Sequence, residues 1–164
     1  MFEKILVPMD GSRLSSSALP YAIEVARRFD AEIVLFRAVG KTPIIYPVAP
    51  TPGTFTTSPI TTQMIMESAE KQDKRNLARA NRYLSRILNK AKAQGVRGSY
   101  HSLLGQPAKS IIDFYRQEAI DLVIMTTRGK SGLKRALLGS IADEVIREPG
   151  IPVLVIRPGR RTKK

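Results

Sequence analysis

Short apolar runs alternate with segments of helical periodicity along most of this chain. KILVP (4–8), EIVLFRAV (32–39) and DLVIMT (121–126) favour buried strands, because they are too short for helices. Further runs lie within 98–105 and at 151–157. Strands that alternate with helices pair in parallel, and the connecting helices cover both faces of the sheet. The pattern predicts a single α/β domain over residues 1–158, with a doubly wound five-stranded parallel sheet.

The intervening segments show where helices begin and end. Pro20 and Pro107 fit the first turn of a helix. Backbone N–H groups in that turn have no intrahelical acceptor, so proline, which lacks this group, loses no hydrogen bond there. Gly95 is placed to end the second helical segment, and Ser140 with Asp143 forms a capping-box pattern for the last one. An apolar stripe marks that second segment: Leu77, Ala80, Leu84, Ile87, Leu88 and Ala91.

Residues 40–64 break this regularity. The segment holds five of the eleven prolines together with many threonines, which predicts a flexible loop without regular structure. It could be a spacer, or a lid over a site, since long loops are often functional. Residues 159–164 form a basic C-terminal tail that we expect to be mobile.

The chain of 164 residues carries 27 Lys and Arg against 14 Asp and Glu, a net charge of +13. This excess favours anionic partners, nucleic acid among them. However, the basic residues look scattered over helix faces without interleaved aromatic residues, so we do not expect nucleic-acid binding. No apolar run approaches a membrane span and no signal-peptide pattern is present, so we expect no membrane association and a cytoplasmic location.

The stretch TTRGKSGLKRALLGS (126–140) contains Gly-Lys-Ser but is not a P-loop. That motif needs a glycine five residues before Gly129, where Ile124 stands inside a strand. The spacing from Gly129 to Gly139-Ser140 suits another phosphate site, because a helix that begins there presents free N–H groups. The alternative is that Ser140 caps its own helix and the glycines only turn the chain.

Strand order determines where a ligand would bind. If the order is 3-2-1-4-5, strands 1 and 4 are neighbours, and the loops 8–12 and 126–140 border one crevice. Ligands of open α/β sheets bind outside the carboxyl ends of the strands at such a reversal of strand order. We therefore expect the aspartate of the first loop and the glycines of the second to converge.

Several segments together resemble the universal stress protein family. They are KILVPMDGS, GQPAKSIIDF, DLVIMTTRGKSGLKRALLGSIADEVI and PVLVIR. The resemblance implies the order 3-2-1-4-5, a homodimer through the strand at 151–157, and a division into members that bind ATP and members that do not. The ATP-binding motif is Gly-x-x-Gly, nine residues, then Gly-Ser or Gly-Thr. Gly129, Gly139 and Ser140 match it, whereas Thr126 replaces the first glycine and its Cβ restricts close approach and a positive φ.

The resemblance also implies a ligand, ATP with or without Mg²⁺, and roles for individual residues. Asp10 would lie near the adenine, the ribose or a nucleotide-bound Mg²⁺, although before Gly11 it could instead form an Asx turn. Ala38 would read the adenine edge, and Arg128 and Lys130 would neutralise phosphate charge. The predicted nucleotide-binding residues are Val7, Pro8, Met9, Asp10, Ala38, Met125, Thr126, Thr127, Arg128, Gly129, Lys130, Gly132, Gly139, Ser140 and Ile141.

Catalysis finds little support in the sequence. His101 is the sole histidine and falls in a strand, so there is no Ser/His/Asp set and no histidine metal cluster. We expect a dimeric sensor or regulatory module of the stress response that binds ATP, with at most weak ATP hydrolysis and an unknown protein partner. The alternatives are a nucleotide-free dimer that acts through protein contacts and a basic nucleic-acid-binding protein.

Overall fold

The computed structural model describes residues 1–45, 59–127 and 139–157. A parallel sheet contains β1 (Lys4–Pro8), β2 (Glu32–Val39), β3 (Gly98–Leu104), β4 (Leu122–Thr126) and β5 (Val153–Ile156). Its order is β3-β2-β1-β4-β5, and every neighbouring pair is parallel. The predicted topology is therefore confirmed, and β1 and β4 are neighbours.

Four helices accompany the sheet in the described ranges: α1 (Leu19–Phe29), α2 (Pro59–Lys92), α3 (Pro107–Gln117) and α4 (Ser140–Arg147). A short 3₁₀ helix over Ser15–Ala18 precedes α1. Proline lies in the first turn of α1 and of α3, as predicted. Gly95, with a φ of +80°, follows the end of α2 in a conformation that glycine adopts without strain.

The helix α2 begins earlier than its apolar stripe suggested. It spans 34 residues from Pro59, so residues 59–64 of the predicted loop are helical. Proline at the first helical position removes no helical hydrogen bond, and threonine content alone does not prevent a helix. Residues 46–58, the rest of the proline-rich stretch, lie outside the described residues.

The capping box predicted at the start of α4 does not form. Gly139, which has no side chain to cap with, is the N-cap in extended conformation, and Ser140 is the first helical residue. The Asp143 carboxylate instead accepts a hydrogen bond of 2.9 Å from Nε of Arg147, one turn further on. This hydrogen bond and the negative charge of Asp143 raise the pKa of Arg147. The prediction placed the N-cap one residue too late.

Two apolar clusters cover the two faces of the sheet. On one face, alternate strand residues such as Ile5, Val7 and Leu35 pack with Ala22 of α1 and Leu84 of α2. On the other, Leu6, Phe36 and Val123 pack with Ile111 of α3 and Val145 of α4. Burial on both faces explains why β1 and β4 are almost entirely apolar.

Candidate functional site

A cavity of about 490 Å³ lies at the carboxyl ends of β1, β2 and β4. Its volume falls within the range of small-molecule sites, which is about 300–1,000 Å³. The lining residues are Pro8, Met9, Asp10, Ser15, Phe36, Arg37, Ala38, Val39, Gly40, Pro107, Ile111, Met125, Thr126, Thr127, Gly139, Ser140, Ile141 and Ala142.

Ten of the fifteen predicted site residues line this cavity. They are Pro8, Met9, Asp10, Ala38, Met125, Thr126, Thr127, Gly139, Ser140 and Ile141. Val7 is placed elsewhere: its side chain is fully buried in the core against α1 and α2. Arg128, Gly129, Lys130 and Gly132 lie outside the described residues.

Eight lining residues were missed by the sequence reasoning: Ser15, Phe36, Arg37, Val39, Gly40, Pro107, Ile111 and Ala142. Several surround Ala38 on β2 and carried a usable signal, since residues at the end of a strand beside β1 must border the same crevice. Pro107 and Ile111 lie one turn apart on α3, at a position that only the packing of that helix determines. Arg37 is the one cation among the lining residues that the structure describes.

The loop after β1 is shaped by an Asx turn. The backbone N–H of Ser12 donates to Oδ1 of Asp10 at 2.8 Å, and Gly11 between them has a φ of +83°. The N–H of Ser15 then donates to Oγ of Ser12 at 3.0 Å. The turn-forming role considered for Asp10 is thus confirmed, and its side chain also borders the cavity.

Thr126 fits its backbone without strain. It is the last residue of β4 and pairs with Ile156 of β5. Within the described ranges, Asp30 and Ala119 are the non-glycine residues with positive φ. The threonine at the position of the family's first glycine is therefore in strand conformation, so the expected restriction on a positive φ does not apply there.

The end of β4 and the start of α4 are joined directly. The N–H of Gly139 donates to the carbonyl of Thr127 at 2.5 Å, and the N–H of Thr127 donates to the carbonyl of Ile156 at 3.1 Å. Asp143 makes the first intrahelical hydrogen bond of α4, to Gly139. The N–H groups of the three residues between them therefore precede the helical ladder, and they carry the partial positive charge of a helix N-terminus.

Thr127 supplies an unsatisfied hydroxyl at this wall. The residue is only 6% exposed, and its Oγ1 has no hydrogen-bond partner among the described residues. An unpaired buried hydroxyl costs free energy and is uncommon in folded proteins. Thr127 also lines the cavity, so this wall combines a hydroxyl without a described partner and the N–H groups at the start of α4.

Asp73 on α2 binds the segment that follows β2, next to the cavity. The N–H and Oγ1 of Thr42 both donate to Oδ1 of Asp73 on α2, at 2.8 Å and 2.6 Å. These hydrogen bonds, the side-chain one first, lower the pKa of Asp73. They tie the segment after Gly40, a lining residue, to α2.

No group of three or more His, Cys, Asp or Glu residues that could hold a metal ion occurs within the described ranges. The His101 ring lies on β3, 5.1 Å from the ring centroid of Phe114, and it does not border the cavity. Among the described helices, none has both the length and the apolar character needed to cross a bilayer.

A model of the universal stress protein family matches residues 1–157. The chain belongs to that family. Among its relatives, universal stress protein MJ0531 of Methanocaldococcus jannaschii is 31% identical over 161 residues, which cover 98% of this chain and 85% of the relative. The family match thus includes the whole sheet and every described residue of the cavity wall.

Solved structures share the fold. MJ0577, a universal stress protein of the same archaeon, has a TM-score of 0.77 at 22% identity and covers 98% of this chain and 99% of its own. A universal stress protein in complex with cAMP has a TM-score of 0.65 at 19% identity, covering 95% and 97%. A family member from Arabidopsis thaliana with AMP bound has a TM-score of 0.59 at 16% identity, covering 96% and 93%.

Proposed function

We propose that this universal stress protein binds ATP in the cavity at the carboxyl ends of β1 and β4. The observation that carries the proposal is the convergence of the Asp10 turn, the buried Thr127 hydroxyl and the start of α4 on one cavity. Structures of two family members with cAMP or AMP bound support the choice of an adenine nucleotide.

The cavity offers different chemistry to the two ends of a nucleotide. Phe36, Ala38, Ile111 and Met125 supply apolar surface suited to an adenine ring. The N–H groups at the start of α4 and the Thr127 hydroxyl supply donors for phosphate oxygens. Asp10 would accept a hydrogen bond from a ribose hydroxyl or face a nucleotide-bound Mg²⁺, which would neutralise phosphate charge.

The residues that line the cavity favour nucleotide binding over ATP hydrolysis. Asp10 is the one carboxylate on the described wall, and that part of the wall holds no histidine, cysteine or lysine. Oδ1 of Asp10 is already engaged by the backbone of Ser12. A general base needs a free, positioned acceptor near the reacting group. We therefore propose a sensor or regulatory module with at most weak ATP hydrolysis.

A homodimer through β5 would give such a sensor an output. β5 lies at an edge of the sheet, and its Leu154 side chain is 39% exposed. An exposed apolar edge strand is a template for pairing with another chain. The hydrogen bond from Thr127 to Ile156 connects the cavity wall to this edge, so nucleotide binding at the wall could influence dimer contacts.

Nucleotide that co-purifies with the protein tests the proposal. Denaturing the purified protein and identifying released nucleotides by chromatography should yield an adenine nucleotide from the natural chain. Gly139→Val should release almost none, because a branched side chain is added to the cavity wall at the N-cap of α4. Ala78→Val, on an exposed part of α2, is the matched control and should retain the nucleotide. A natural chain that is empty after purification and takes up no ATP on dialysis would contradict the proposal.

A further inference from the structure

We propose that Arg37 binds a phosphate of the nucleotide and makes the cavity prefer di- and triphosphates over AMP and cAMP. The inference rests on the proposed function and specifies its ligand further. Arg37 belongs to β2, where Ile33 and Leu35 point into the core beside α1 and α2. The side chains of a strand alternate between the two faces of the sheet, so Arg37 lies on the same face as Ile33 and Leu35. It is nearer the carboxyl end of the strand and lines the cavity there.

The Arg37 guanidinium has no counter-ion within the described ranges. None of the ion pairs found there includes Arg37, and no described hydrogen bond uses its five N–H donors. The residue is half-buried at the cavity wall. A cation that is partly removed from water without a partner carries a desolvation cost, which an anionic ligand would offset. Arginine also presents a planar fork that matches phosphate oxygens.

The guanidinium is held in position from two sides. It lies 5.4 Å from the ring centroid of Tyr83 on α2, and the Tyr83 hydroxyl is 3.0 Å from Oγ of Ser16. On the other side it packs against Gly11, where an added Cβ would lie 2.8 Å from Nη1. A side chain ordered before the ligand arrives loses little freedom on binding. These contacts therefore fit a binding residue better than a solvated surface charge.

The position of Arg37 points to a ligand with more than one phosphate. β2 and β4 flank β1 on opposite sides, so Arg37 and the start of α4 approach the cavity from the two sides of the Asp10 turn. A monophosphate engages one of these sites. A polyphosphate chain extends far enough to engage both, and this difference is the basis of the proposed preference.

Calorimetric titrations of nucleotide-free protein with adenosine, AMP, ADP and ATP, without Mg²⁺, test the proposal. Arg37→Gln should weaken ADP and ATP binding about ten- to a hundred-fold, the usual effect of losing a charge-assisted hydrogen bond. Adenosine and AMP should change by less than about threefold. Arg37→Lys keeps the charge but not the fork, and it should give an intermediate loss. Arg79→Gln removes the same charge from an exposed position on α2 outside the cavity and is the control; it should bind ATP like the natural chain.

Other results of these titrations would overturn either the role of Arg37 or the proposed function. An equal loss for adenosine and ATP, or an unchanged ATP affinity in Arg37→Gln, would overturn the role of Arg37. If the natural chain binds no nucleotide, the proposed function fails, and tripolyphosphate becomes the probe for Arg37. Tripolyphosphate binding that Arg37→Gln abolishes would support the anion site alone; no tripolyphosphate binding by the natural chain would overturn both proposals. Thermal melts of each variant show whether a loss of binding reflects unfolding.

Discussion

Two features of the structure disfavour a side chain at Gly11. Its φ of +83° lies in the left-handed region, and a Cβ there would lie 2.8 Å from Nη1 of Arg37. The first feature concerns the stability of the turn and the second concerns the position of a cavity cation. A second glycine of the chain separates the two effects, because Gly95 has a φ of +80° and open space around the position of its missing Cβ.

We predict that Gly11→Ala and Gly95→Ala each lower the free energy of unfolding by about 1–2 kcal/mol, the cost of a left-handed alanine. Only Gly11→Ala should also weaken ATP binding, because its Cβ displaces the guanidinium. Denaturant unfolding gives the stability of each variant, and calorimetry gives the affinity. Equal ATP affinities of the two variants would show that the packing of Arg37 against Gly11 does not matter for the ligand.

The Thr127 hydroxyl should have opposite effects on the stability of the nucleotide-free protein and on ATP binding. Replacing Thr127 with valine keeps the shape and removes the buried hydroxyl that has no partner among the described residues. We predict that Thr127→Val raises the free energy of unfolding of the nucleotide-free protein by about 1 kcal/mol and weakens ATP binding several-fold. Thermal unfolding with and without ATP measures both effects. A variant that is less stable than the natural chain would mean that the hydroxyl already has a partner.

The contact between α2 and the segment after β2 depends on the charge of Asp73. Its pKa is lowered by the two hydrogen bonds from Thr42, so the folded state binds this proton less readily than the unfolded state. The stabilisation is therefore present above the ordinary pKa of 3.8 and is lost as the pH falls through the lowered value.

We predict that Asp73→Asn is less stable than the natural chain at neutral pH and that the difference disappears in acid. Denaturant unfolding of both proteins across this pH range measures it. Asp143→Asn is a useful comparison, since Asp143 is the partner of Arg147 on α4 and has no contact with Thr42. A difference between the natural chain and Asp73→Asn that stays constant down to the lowest pH would exclude the hydrogen bonds as its cause.

Most strands and helices could be located from the sequence, whereas the starts of α2 and α4 could not. The strand runs, Pro107 and Gly95 predicted most element positions, because burial and proline geometry act locally. The early start of α2 could not be predicted from an apolar stripe, because residues 60–66 are mostly exposed. At α4, Asp143 contacts Arg147 and forms no capping box. Similarly, the basic residues that looked scattered include Arg75, Arg79, Arg82, Arg86 and Lys90 at helical spacing on the exposed side of α2.

The candidate site was predictable only around its motifs. The Asp10 turn and Gly139-Ser140 follow from strand order, because the carboxyl ends of β1 and β4 must meet. The place of Arg37 beside Ala38 could be predicted, but its contact with Tyr83 could not, because Tyr83 lies 46 positions away in the printed sequence and approaches only through the packing of α2. Contacts between distant segments leave no local pattern for sequence reasoning to find.

The proposed dimer depends on β5, which lies at one edge of the sheet. We predict that Leu154→Arg yields a monomer, because a charge replaces an exposed apolar side chain on the edge strand. Light scattering coupled to size exclusion measures the mass. Ile60→Arg, at a more exposed apolar position on α2, is the control and should remain a dimer. Equal masses for Leu154→Arg and the natural chain would exclude β5 as the interface.

Calorimetric titration of nucleotide-stripped protein with ATP and Mg²⁺ tests whether the cavity binds ATP. We predict saturable heat from one site per chain, with a dissociation constant on the order of micromolar. We also predict weaker binding by Thr127→Val under the same conditions. No heat from the natural chain at ATP concentrations up to about a millimolar would contradict the claim.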